Sequence, residues 1–140
     1  MPDLDCIFCK ILAGEIPARI VDEDERTIAF MDIAPATRGH ALVIPRTHAA
    51  DLMEITDEDL SAVAASARRL ASRMTARLGA DGVNLINSCG AAAWQTVFHF
   101  HMHVIPRYSD DPLRLPWTPA PGDPEQIATA ARELSGDGSP

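Results

Sequence analysis

The sequence predicts an α+β fold built on a mostly antiparallel sheet. Three observations carry this. Short runs rich in Ile, Val, Leu and Phe come first, then one long helical pattern, then further short runs. The last of those runs alternates strictly between apolar and polar residues, as a half-buried strand does. The chain has 140 residues, 46% hydrophobic and 23% charged, which is enough for one domain with a real core.

Residues 27–31 and 41–44 read as the first two strands. Asp32-Ile33-Ala34-Pro35-Ala36-Thr37-Arg38-Gly39 between them carries Pro and Gly and reads as a loop. Thr56 is a good N-cap, and Asp59 three residues on resembles a capping box. Leu60, Val63, Ala64, Ala67, Leu70, Ala71, Met74 and Leu78 then recur at helical spacing, and Gly79 suits the stop. Residues 83–87 give a third strand and 97–105 a fourth. Asp123 and Pro124 start a short last helix, with Ile127, Ala131 and Leu134 as its expected buried side. Six of the eleven prolines follow Arg107. The reading is therefore a body over 1–106 and a Pro-rich tail over 107–140, docked on the body or on a second copy.

Twelve Lys and Arg against twenty Asp and Glu give a net charge of −8. A phosphate polymer needs a basic surface, so DNA and RNA are not the expected partners. A small anion in one concave site remains compatible with that charge. No apolar run approaches the roughly 18–20 residues of a membrane span. The acidic start lacks an apolar signal segment, so the expected address is the cytoplasm. In that setting Cys6 and Cys9, a C-x-x-C pair, read as metal or redox chemistry rather than a structural disulfide.

His99-Phe100-His101-Met102-His103-Val104-Ile105 is the most informative stretch. On a strand its three histidines share one face, and Phe100, Met102 and Val104 share the other. One ion held by all three is disfavoured, because the first and third lie about 13 Å apart along a strand. Separate roles are expected instead. Neutral imidazole is both a nucleophile and a proton-transfer group.

This stretch resembles the signature of the histidine triad (HIT) nucleotide-binding hydrolases and transferases. Cys6-Ile7-Phe8-Cys9-Lys10-Ile11, Glu15-Ile16-Pro17, Ala29-Phe30-Met31-Asp32-Ile33, Gly39-His40-Ala41-Leu42-Val43-Ile44-Pro45, His48 and Gln95-Thr96-Val97 resemble family segments in order and spacing. The similarity covers about residues 5–107 and is greatest to Hint-type bacterial members. It implies a HIT-like fold, with a five-stranded antiparallel sheet, one long and one short helix, and a homodimer. It implies attack by His101 on the α-phosphate of a purine nucleotide conjugate, through a nucleotidyl-histidine. His103 and His40 would flank the site and help bind the phosphate. Asn87, Gln95 and Thr96 would contact phosphate, and Asp32 would hold the ribose hydroxyls. Phe8, Ile11, Ile16, Phe30 and Leu42 would form the base slot. Two other readings stay open: a dinucleoside polyphosphate hydrolase or phosphorylase, and a nucleotide-binding module without catalysis.

The resemblance also implies a closed, structural Zn²⁺ site made by Cys6, Cys9, His48 and His99, with Pro45-Arg46-Thr47-His48 as the turn that presents His48. One segment departs from the family pattern. Ala91-Ala92-Ala93 and Trp94 stand where Hint proteins are usually Gly-rich and polar. Trp94 is left with two readings there, a cap on the phosphate loop or a residue of the dimer interface.

Overall fold

The computed structural model describes residues 3–136. A one-and-a-half-turn helix, α1 (Ile7–Leu12), precedes three strands, β1 (Ile20–Glu23), β2 (Thr27–Met31) and β3 (Ala41–Pro45). The long helix α2 (Asp57–Leu78) follows, then β4 (Gly82–Ile86), a 3₁₀ turn (Ala91–Ala93), β5 (Met102–Arg107) and α3 (Pro124–Ser135). The five strands form one sheet in the order β1-β2-β3-β5-β4, with every pair antiparallel.

β2 and β3 are buried along almost their whole length because both faces of the sheet are covered. On one face, Ala29, Ala41, Val43, Phe100 and Val104 pack against Val63, Ala67, Leu70 and Met74 of α2. On the other, Ile28, Phe30, Leu42 and Ile44 pack against Cys6, Phe8 and Cys9 of α1. The alternation of β2 and β3 thus divides two cores, and the second one floors the histidine site.

α2 begins and ends where its caps predict. The Asp59 N–H donates to Thr56 Oγ1 at 3.2 Å, and Gly79 closes the helix in the left-handed region. The Asp59 carboxylate does not return to the cap; it takes Arg26 at 2.9 Å instead. Ala64 is exposed, and Ser66 occupies the buried stripe in its place.

Four expectations are corrected. β1 and α1 were not separable in the sequence: β1 is a largely exposed edge strand, and α1 is too short to show a period. The third strand runs one residue earlier than expected, so Asn87 leaves the ladder. The last strand starts at Met102 rather than 97, because the chain bends over residues 97–99 and the Phe100 N–H donates to the Ala49 carbonyl at 2.7 Å, off the sheet. The facing of the histidines survives this, since Phe100 and Val104 still enter the α2 core. Finally, α3 has the predicted cap and start, but Ile127 and Leu134 are exposed and no residue of the helix is buried. An irregular stretch over 112–123 joins α3 to the body, and among the described residues nothing buries its apolar side. β5 ends at Arg107, which grips Asp111 through two 2.8 Å bonds. The final residues of the tail, 137–140, lie outside the described residues.

The loop between β2 and β3 turns at Gly39, φ +92°. A Cβ there would lie 2.5 Å from Leu78 Cδ1 and 3.3 Å from Pro106 Cγ. Backbone conformation and space therefore both demand glycine, immediately before His40. Gly39→Ala is expected to lower the free energy of unfolding by about 2 kcal/mol. Urea denaturation checks this; an unchanged midpoint would mean the turn is not under steric constraint.

Candidate active site

His101 sits just ahead of β5, buried, with the Phe8 ring edge-on at 5.2 Å. Its Nδ1 lies 2.8 Å from the His99 carbonyl oxygen. A carbonyl only accepts, so Nδ1 carries the proton and donates it. The lone pair is left on Nε2. Burial lowers the His101 pKa, which keeps that lone pair free. The Asn87 Nδ2 donates to the His101 carbonyl at 2.9 Å and holds the backbone at that position. Asn87 Oδ1 is buried with no partner.

His103 lies on β5, paired with Leu42 of β3 and Ile86 of β4. The Ala36 N–H donates to His40 Nδ1 at 2.9 Å. Neutral His40 must then carry its proton on Nε2, which is 2.9 Å from His103 Nδ1. His103 Nδ1 accepts, so His103 carries its own proton on Nε2. Burial lowers both pKa values, that of His103 to about 4. Asp32 Oδ2 is 3.4 Å from His40 Nε2, while Asp32 Oδ1 accepts from the Ala34 N–H at 2.8 Å and caps the loop. The Asp32 carboxylate therefore stabilises its own turn and faces the histidines.

A cleft of about 400 Å³ opens over these groups. Phe8, Ile11, Ile16, Phe30 and Leu42 line its apolar part, and Asp32, Thr96, His101 and His103 its polar part. Of the residues expected here, two are deployed differently. The Gln95 amide is spent on its own loop, with Oε1 accepting from Gly90 N–H at 2.7 Å and Nε2 donating to the Ala50 and Val97 carbonyls. Its backbone N–H donates to the Gly90 carbonyl. Gln95 shapes the loop and has no donor left for a phosphate. Asn87 acts through the backbone of His101 in the same way. Thr96, exposed on the cleft wall, keeps its hydroxyl and N–H free of hydrogen bonds to other described residues.

The remaining histidine of the strand turns elsewhere. His99 is fully buried, and its Nε2 lies 2.9 Å from the Pro45 carbonyl, so Nε2 donates and the Nδ1 lone pair is free. That Nδ1 faces Cys6 Sγ at 3.4 Å, Cys9 Sγ at 3.6 Å and His48 Nδ1 at 3.2 Å. Cys9 Sγ is 3.4 Å from His48 Nδ1. A tetrahedral ion with sulfur at about 2.3 Å and nitrogen at about 2.0–2.1 Å has S–N edges of about 3.6 Å and an N–N edge of about 3.3 Å. The observed spacings match that polyhedron closely. The N–H groups of Cys9 and Asp3 donate to Cys6 Sγ and Cys9 Sγ at 3.3 and 3.4 Å. Burial pushes the Cys6 thiol up, so a cation is what would draw its proton off. The cluster is a metal-binding constellation by donor type and geometry. The carbonyls of His99 and Pro45 and the N–H of Ala36 fix the tautomers of His101, His99 and His40, and being backbone groups they left no signal in residue type.

The chain belongs to the histidine triad (HIT) family: the HIT domain matches residues 13–110. It is 38% identical over 133 residues to the adenosine 5′-monophosphoramidase hnt1 of Schizosaccharomyces pombe, covering 94% of this chain and 97% of that one. It is similar to the crystal structure of a HIT family member from Bacillus subtilis, with 37% identity, a TM-score of 0.86, and 97% and 99% of the two chains covered. A zinc-bound histidine triad protein from Mycobacterium smegmatis is 40% identical with a TM-score of 0.77, over 96% and 99% of the chains. Among the described residues no helix is long and apolar enough to cross a membrane.

His103 sets a pH dependence. In an unfolded chain histidine titrates near about 6.5, whereas folded His103 stays neutral down to about 4. Between these values the unfolded state binds the extra proton, so this contribution is intact above pH 6.5 and is lost as the pH falls toward 4. Urea midpoints from pH 7.5 to 4 should fall less steeply for His103→Gln than for the wild type. Parallel profiles would show that His103 is not held neutral by the fold.

Proposed function

We propose that this protein is a nucleoside phosphoramidase, cleaving at the α-phosphate of a purine nucleotide conjugate through a nucleotidyl-histidine. The observation that carries this reading is the free Nε2 lone pair of His101 at the floor of the cleft. A module that only binds has no need of a buried imidazole with its proton pinned away from the ligand.

The base occupies the slot over Phe8, Ile11, Ile16, Phe30 and Leu42, and the ribose hydroxyls meet Asp32. His101 Nε2 attacks phosphorus. The P–Nε2 bond forms, the P–N bond to the leaving amine breaks, and the departing nitrogen takes a proton from solvent at the open mouth. The imidazole becomes cationic, and two groups favour that charge: the His99 carbonyl on its Nδ1–H and the nearby Asp32 carboxylate. His103 Nε2–H and the free Thr96 hydroxyl and N–H donate to the phosphoryl oxygens. Water then attacks phosphorus, the electron pair returns to His101 Nε2, and the nucleoside monophosphate leaves. His40 keeps His103 in the donating tautomer.

His101→Ala should abolish turnover of adenosine 5′-phosphoramidate while still binding AMP, read by single-turnover kinetics and calorimetry. A near wild-type rate would sink the covalent route. Diadenosine polyphosphates, with and without inorganic phosphate, are the comparison substrates; preference for one of them would assign a dinucleoside polyphosphate hydrolase or phosphorylase instead.

Zn²⁺ is the proposed ion for Cys6, Cys9, His48 and His99, supported by the spacings and by the zinc-bound relative. When bound it supplies a structural cross-link and no open coordination position. Cys6 and Cys9 tie α1, and with it Phe8 and Ile11, to the His99 segment. Three unpaired cysteines suit the reducing cytoplasm. A homodimer is proposed through β4, an edge strand with Leu85 and Ile86 exposed. Wild-type protein purified without chelator should contain about one zinc per chain. Cys6→Ser with Cys9→Ser should lose the metal, melt earlier, and raise KM more than it lowers kcat. Loss of kcat as complete as in His101→Ala would make the metal catalytic.

A further inference from the structure

A second cavity, of about 470 Å³, opens on the α2 face of the sheet; the histidine cleft holds about 400 Å³. Small-molecule sites commonly occupy about 300–1,000 Å³, so its size admits a ligand. No thiol or imidazole lines it, and Met31 alone borders both chambers. Its position follows from how α2 meets β1. The contact is polar: Arg69 Nε donates to Asp22 Oδ2 at 3.0 Å, and Arg73 Nη1 donates to the Val21 carbonyl at 3.1 Å. Arg73 Nη2 adds a 3.4 Å bond to Asp22 Oδ1. These bridges join helix and edge strand beside the cavity, where the α2 core reaches the surface through Met31, Leu70, Met74 and Leu78.

Two further arginines line the same cavity. Arg38 and Arg77 are exposed, and neither guanidinium has a hydrogen-bond or ion-pair partner among the described residues. Arg26, Arg46, Arg69, Arg73 and Arg107 each hold a carboxylate. Acidic residues outnumber basic ones by twenty to twelve, yet none reaches Arg38 or Arg77. The main chain at Arg38 is held in place. The Tyr108 hydroxyl donates to its carbonyl at 2.8 Å, and Thr37 Oγ1 donates to the Pro106 carbonyl at 2.6 Å. The cavity thus combines apolar walls with unpaired positive charge in a chain of net charge −8. No aromatic ring and no carboxylate lines it, so it offers a purine or a ribose nothing that the cleft offers.

We propose that this cavity is a second binding site, for a small amphipathic anion: an aliphatic chain with a terminal carboxylate or phosphate. Met31, Leu70, Met74 and Leu78 bury the chain, and Arg38 and Arg77 donate N–H groups to the head. Guanidinium matches carboxylate and phosphate alike through paired donors. The site is independent of the reaction proposed above and stands or falls without it.

Octanoate and octyl phosphate are the probes, with octanol as the uncharged chain and acetate as the head without a chain. Calorimetry on the wild-type protein should give a Kd below about 1 mM for at least one charged probe. Octanol and acetate should each bind at least about tenfold more weakly. The tighter of the two heads tells a fatty acid from a phosphate monoester as the natural source. Amide NMR shifts should fall on Gly39, Ala41 and Leu78 rather than on Phe8 and His101, and AMP should not compete. Arg38→Gln with Arg77→Gln should weaken the charged probes about tenfold and leave octanol binding as it is. The double variant should melt with the wild type, since neither side chain has a partner to lose. Should it melt lower, the single variants decide, each weakening the charged probes about threefold. Charged probes that bind no tighter than octanol overturn the proposal. So do shifts centred on the cleft, competition by AMP, or variants with undiminished affinity.

Discussion

His99 is the residue on which the rest of the site depends. Its ring donates through Nε2 to the Pro45 carbonyl and offers Nδ1 to two thiols and a second imidazole. Its backbone carbonyl takes the Nδ1 proton of His101. One buried residue therefore completes a metal-binding constellation with its side chain and orients the His101 ring with its main chain. The bend over residues 97–99 makes this possible. A regular strand would commit the His99 carbonyl to a ladder, and His101 would lose the acceptor that fixes its tautomer.

The sheet partitions the two tasks of the fold. The face under α2 is an apolar core of aliphatic side chains and Phe100, and it supplies stability. The face under α1 mixes apolar residues with thiols and imidazoles, and it supplies chemistry. Placing histidines on a buried face costs solvation of their charged forms, which is why His99 and His103 are both lowered to about 4. The lowered values keep both rings neutral near pH 7. Backbone carbonyls and amides satisfy the polar edges of the rings, so the burial leaves few orphaned groups. Asn87 Oδ1, buried beside the triad backbone, is one of two buried side-chain atoms without a partner among the described residues.

Trp94, the one non-glycine residue with a left-handed backbone among the described residues, lines the cleft. Gly39 turns the chain into His40, Gly90 opens the loop that Gln95 fastens, and Trp94 sits in a left-handed conformation at the cleft. The β-sheet and α2 are regular by comparison. A rigid scaffold thus holds irregular segments at the points where ligand must approach. The tail behaves differently. Leu115 and Trp117 of the linker and Ile127 and Leu134 of α3 are all exposed, so α3 has an amphipathic pattern with none of its residues buried against the described residues.

The sequence by itself determined the elements whose signals are local. α2 was legible from Thr56 to Gly79 because a period of 3.6 over twenty-two residues and two caps agree. β2 and β3 showed as apolar runs, and the start of α3 was marked by Asp123 and Pro124. The alternation of His99, His101 and His103 pointed to a shared face and separate roles, and Cys6 with Cys9 pointed to metal or redox chemistry. The tertiary structure alone decided what depends on partners distant in the chain. It brought His48 and His99 to the two cysteines, over 39 and 93 residues of separation. It set His40 against His103 and gave each ring its tautomer through main-chain groups that no residue type reveals. It bonded the Gln95 amide to its own loop and the Asn87 amide to the His101 carbonyl. β1 and α1 were hidden because an exposed edge strand and a six-residue helix have too few buried positions to make a period, and only packing against their neighbours defines them.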